Sequence, residues 1–161
     1  MRPLRGFTLI EMLVVLTIVG ILATAAVPLQ QLAVRRSQEQ ALREGLRSIR
    51  QALDAHRQAV EAKRIAAGPD GSPWPARLAV LERGVPVLNA EGQAQADGPR
   101  LYLLRRLPRN PFADPALGAA DTWRTRASSS GPESPMPGAD VFDVAAATDA
   151  RALDGSRYAD W

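Results

Sequence analysis

"RGFTLIEMLVVLTIVGILATAAVP", residues 5–28, is apolar enough to cross a bilayer, yet it holds a carboxylate, Glu11, near its start. Phe7 to Val27 is 21 residues with that single charge. At about 1.5 Å per residue such a helix spans about 31 Å, close to the hydrocarbon thickness. A charge inside hydrocarbon costs roughly 2.5–3.5 kcal/mol on insertion scales. Glu11 therefore implies a partner that meets it. Arg2 and Arg5 precede the run and stay on the cytoplasmic side by the positive-inside rule. The rest of the chain is then expected outside the cytoplasm.

After Pro28 the sequence turns polar but keeps a helical period. Leu42, Leu46, Ile49, Leu53, His56 and Val60 follow one another at alternating steps of four and three, one stripe on one side of a helix. Gly45 falls on the side predicted to be exposed, at a helix-propensity cost of about 1 kcal/mol. The first strong breakers are Gly68 and Pro69, so the spacing predicts one helix from Phe7 to Ala66, carried through Pro28 as a kink.

The remainder differs in character. Eleven of the thirteen prolines lie at or after Pro69, which disfavours long helices. "WPARLAVLERG" suits a short helix over 75–82. "RLYLLRRLP", "TWRTRA" and "DVFDV" suit strands, while "LNAEGQAQADGP" and "SSSGPESPMPGAD" read as turn-rich linkers. The expected fold class is α+β: a long amino-terminal helix packed by its second half against an antiparallel sheet of three or four strands.

The chain of 161 residues contains no cysteine and has a net charge of +3. Its distribution is uneven. Residues 35–64 carry eight basic groups against four acids, whereas residues from Glu133 onward carry six acids and two arginines. The basic helix face (Arg43, Arg47, Arg50, Arg57) is expected to meet the acidic closing region of a neighbouring subunit. Without interleaved aromatics it does not suit specific nucleic-acid binding. His56, the single histidine, stands on the apolar stripe and reads as a core residue with one hydrogen bond. No nucleophile–base–acid constellation and no phosphate loop is present, so an enzyme is not expected.

The opening stretch resembles the amino-terminal segment of type IV pilins and type II secretion pseudopilins. The matching features are a short basic leader ending in Gly6, then Phe7, then Glu11 as the fifth residue after that glycine, an unbroken apolar run, and Pro28 at its end. "YLLRRLPRNPFADP" and the closing "DVFDVAAATDARALDGSRYADW" are similar to the major pseudopilin of type II secretion systems, with Asn110 where that family usually has aspartate.

The resemblance implies an organisation and a life history. Residues 1–6 would be a leader removed by a prepilin peptidase between Gly6 and Phe7, with Phe7 then N-methylated. Residues 7–27 would span the bacterial inner membrane once, in contact with lipid. Residues 28–66 would continue the helix in the periplasm, and residues 67–161 would form the periplasmic α+β region. An inner-membrane assembly platform would add the subunit to a helical filament of identical and related pilin-like subunits. The resemblance also implies structural calcium in the closing loop, held by aspartate side chains and backbone carbonyls, best matched by Asp149 and Asp154, with Asp143 nearby. The alternative is that these carboxylates cap turns or pair with Arg124, Arg126 or Arg157.

Cleavage also answers the question of Glu11. A new amine on Phe7, four positions away, is a cation at the right depth, on the same chain or on a neighbour. Pro28 donates no hydrogen bond and marks a weak point in the helix. The leading function is a structural subunit of a type II secretion pseudopilus. The alternatives are a minor pilin of a type IV pilus and an exported soluble protein, since "ATAA" at 23–26 also resembles a signal-peptidase site.

Overall fold

A computed structural model describes residues 7–95 and 97–161, the side chains of 25–27 excepted. The chain divides into two compact units, the second running from Gln38 to Trp161. Helix α1 (Leu9–Glu61) contributes to both. Within the first unit every described side chain from 7 to 37 is exposed. That stretch is long and apolar enough to cross a membrane.

In the second unit α1 buries Leu42, Leu46, Ile49, Ala52, Leu53, His56 and Ala59. The predicted stripe is present, except that Ala59 rather than Val60 occupies its last buried position. Gly45 is buried rather than exposed, because the Trp123 indole lies against it. The helix also ends sooner than predicted, at Glu61 instead of Ala66. Lys63 takes a left-handed conformation, φ 54°, and the Arg64 N–H donates back to the Ala59 carbonyl at 2.9 Å. This is a Schellman-type ending. It turns the chain so that Ile65 is buried and bridges Val87.

Beyond α1 the elements are short. Helix α2 (Ala79–Arg83) buries Leu81 and stops at Gly84, φ 78°. Strand β1 (Val85–Pro86) pairs antiparallel with β2 (Arg100–Leu101), and β3 (Trp123–Arg126) pairs antiparallel with β4 (Asp143–Ala146). Among the described residues these form two separate two-stranded sheets. The single sheet of three or four strands is therefore corrected, although the α+β class with a long amino-terminal helix stands. Pro86 limits the first ladder because it has no N–H to give. The segment between the ladders is held by the Leu103 and Leu104 N–H groups, which both donate to the Leu81 carbonyl, and by packed side chains.

The buried side chains of the second unit form one core. Trp123 and Val144 from the second sheet, Leu78 and Leu81 near α2, and Tyr158 pack against the α1 stripe, with Trp161 partly buried beside them. Phe112 stacks on Tyr158 at 4.5 Å, and Tyr158 meets Trp161 edge-on at 4.9 Å. Asn110 is fully buried. Its Nδ2 donates to the Thr122 carbonyl, its N–H donates to Thr122 Oγ1, and its Oδ1 accepts from the Phe112 N–H at 2.9 Å. It holds the turn before β3 in place.

Candidate functional site

The start of α1 is built on Thr8. Its carbonyl accepts the Met12 N–H at 3.2 Å and its Oγ1 accepts the Glu11 N–H at 3.3 Å. Thr8 is thus the N-cap, which satisfies a donor that the first turn leaves free. Glu11 stands in that first turn, where the helix dipole favours an anion. Nothing among the described residues meets the Glu11 carboxylate, and Phe7 is 75% exposed. By contrast, Thr17 and Thr24 donate their hydroxyls to Leu13 and Ile21 carbonyls within the helix. Pro28 lies inside α1 without ending it. A Cβ built on Gly20 would meet nothing within 4 Å outside its own helix turn. Gly6 lies outside the described residues. The cap was legible, although the charge of Glu11 draws attention away from it: "TLIE" is a Thr-x-x-Glu pattern ahead of an apolar run.

The second candidate cluster is the closing region. Arg50 donates through Nε to Asp143 Oδ1 at 2.9 Å, and through Nη2 to the Val144 and Trp161 carbonyl oxygens at 3.0 and 2.7 Å. Arg43 pairs with Asp154 at 3.5 Å and lies 4.1 Å over the Trp161 ring. Arg57 pairs with Glu61 and faces the Trp74 ring. Thus Arg43 and Arg50 each meet the acidic closing region of their own chain. Arg47 is exposed.

Asp143, Asp149 and Asp154 are not brought together. Among the described residues no three metal-ligating side chains gather. Asp143 Oδ1 takes Arg50 Nε and the Val144 N–H, while its Oδ2 faces Arg126 at 3.5 Å. Asp149 faces Arg157 and Arg124 at 3.5 and 3.9 Å. Asp154 accepts the hydroxyl and N–H of Ser156. Those two bonds hold its carboxyl below the usual range, with Arg43 adding to the effect. The three carboxylates face arginines and serine rather than one another, whereas a calcium shell gathers six to eight hard oxygens.

Glu39 was not singled out by the sequence. It is 8% exposed, and its Oε1 accepts the Tyr158 hydroxyl at 2.9 Å and the Leu153 N–H at 2.8 Å. The signal was present. Glu39 extends the stripe three positions ahead of Leu42, and an acid on an apolar stripe needs a buried donor.

Two further titratable groups are structural. His56 is buried and its Nδ1 lies 2.9 Å from the Pro73 carbonyl, as expected of a core histidine. Burial lowers its pKa, and that hydrogen bond only partly opposes the shift. Burial pushes the Asp140 carboxyl upward, but bonds from Ser72 and Ser128 outweigh it, so the net shift is down. Asp140 thereby ties the loop at Ser72 to the one at Ser128.

Residues 1–27 match the family described as the prokaryotic N-terminal methylation motif. No curated protein and no solved structure gives a significant match. The chain carries a type IV pilin-like prepilin signal, which implies processing by a prepilin peptidase and a membrane-anchored, pilin-like subunit.

Proposed function

We propose that this chain is a structural, non-catalytic subunit of a type II secretion pseudopilus. Prepilin peptidase cuts between Gly6 and Phe7 and methylates the new amine. The subunit then waits in the bacterial inner membrane, spanning it once, with residues 28–161 in the periplasm. An inner-membrane platform adds it to a helical filament that helps export folded proteins. The observation that carries this reading is the prepilin signal followed by an exposed apolar helix whose one carboxylate, Glu11, has no partner among the described residues. The similarity of the closing segments to major pseudopilins favours the secretion filament over a pilus.

In this reading the Phe7 amine of a neighbouring copy meets Glu11. Surroundings poor in water strengthen that attraction, and the pair fixes the axial stagger of one helix against the next. Pro28, which leaves the Thr24 carbonyl without its usual helical donor, lets the helix adjust near the membrane exit. The test has two parts. The membrane-bound protein should begin at methylated Phe7, whereas a start at Ala26 means a released soluble domain. Glu11→Ala should abolish filament incorporation and secretion of folded cargo while leaving the periplasmic fold intact. Loss of surface pili or motility without a secretion defect would instead assign the chain to a type IV pilus.

A further inference from the structure

The resemblance offers Asp143, Asp149 and Asp154 to calcium, whereas the geometry offers them to arginine. We infer that the closing segment, residues 147–161, is fastened to α1 by the side chains of Glu39, Arg43 and Arg50, with no cation required.

The three residues stand four and seven positions apart, which places them on one face of the helix. Each grips a different point of the segment. Glu39 accepts the Leu153 N–H and the Tyr158 hydroxyl. Arg43 covers the Trp161 ring and faces Asp154. Arg50 reaches across to the base of the segment through Asp143 and the Val144 carbonyl, and to its far end through the Trp161 carbonyl oxygen. A guanidinium suits this task because its donors sit in a rigid planar fork. Within the segment Ser156 Oγ takes the Trp161 indole N–H at 2.7 Å, so the loop is closed on itself as well as on the helix.

The same arrangement disfavours a divalent ion. Asp143 faces both Arg50 and Arg126, so a cation beside it would be repelled by two guanidinium groups. The stretch also reads "VAAATDARALDG", where alanines stand in place of glycines and narrow the turns by which backbone carbonyls could converge on an ion. Fastening by arginine makes the closing segment sensitive to salt and indifferent to chelators, because the Arg43 and Arg50 pairs are partly exposed and are screened by ions. This inference concerns the folded subunit and holds whichever filament it joins.

The experiment uses the full chain in detergent micelles, with thermal unfolding and amide exchange as readouts and calcium chloride and EDTA as probes. Unfolding midpoints in EDTA and in calcium should agree within about 1 °C. Arg50→Met should speed exchange in residues 152–161 about tenfold, and Arg43→Met about threefold, while amides near Ile49 keep their protection. The exchanged pair Arg43→Glu with Asp154→Arg should regain the protection lost in Arg43→Met. Should Arg50→Met fail to fold, the Arg43 variants decide alone, since that side chain is half-exposed. A midpoint raised several degrees by calcium overturns the inference. So does unchanged exchange in the methionine variants, or a charge exchange that regains nothing.

Discussion

Gly45 and Trp123 fit as notch and ring. A methyl group built on Gly45 would stand 3.1 Å from Trp123 Cη2 and 3.2 Å from Cζ2. The indole has little freedom to retreat, because its Nε1 donates to the Pro108 carbonyl at 2.9 Å and the residue is buried. Gly45→Ala therefore sets a helix-propensity gain of about 1 kcal/mol against an overpacking cost of about 1–3 kcal/mol. The expected result is a net loss of up to about 2 kcal/mol, and Gly45→Leu should lose more. Chemical denaturation of the two variants checks the order.

Asn110→Asp should be strongly destabilising although it matches the residue usual in the similar family. The buried Asn110 amide donates to the Thr122 carbonyl, and an ionised carboxylate has no proton to give. The expected cost is about 2–4 kcal/mol at neutral pH. It should shrink in acid, where a protonated carboxyl regains a donor. Denaturation of the variant at two pH values measures this, and Asn110→Ala separates the lost donor from the buried charge.

Tyr158→Phe removes one of the two donors to Glu39 Oε1 and should cost about 1–3 kcal/mol. Glu39→Gln keeps an acceptor and should cost less than Glu39→Ala. A double-mutant cycle between positions 39 and 158 should show coupling, since the two side chains share one hydrogen bond.

Stability should fall in two separate steps as the solution is acidified. The His56 pKa is lowered in the fold, so the unfolded chain takes up the proton first. The contribution of neutral His56 is complete above about 6.5 and is lost as pH falls from there toward the lowered native value. The Asp140 carboxyl is also lowered. Its contribution is complete above the unfolded carboxylate value of about 3.9 and is lost as pH falls through the native one. Unfolding midpoints measured across pH should show both steps. His56→Gln should abolish the first and keep the second.

The sequence made the long helix and its buried stripe readable because both follow from one period sustained over many residues. The start of α2 was less clear, since Pro75 and Trp74 suggested an earlier beginning than Ala79. Strands β2 and β3 fell within predicted segments and β4 only by its first half, since the predicted stretch stops at Val144, but the split into two sheets did not show. Two-residue ladders have no pattern to detect. The end of α1 was also hidden, since a lysine rather than a glycine takes the left-handed position. The candidate assembly site was legible in Glu11 because a charge in an apolar run is conspicuous. The partners of Arg43 and Arg50 were not, because side chains more than 90 positions apart meet only through the folded core.

The brevity of the strands has a consequence for storage. Ladders of two and four residues have short edges, and Pro86 removes one donor from the first. A foreign strand therefore finds almost no template on which to grow. Copies crowded at high density are expected to resist gelling through pairing at these strand edges.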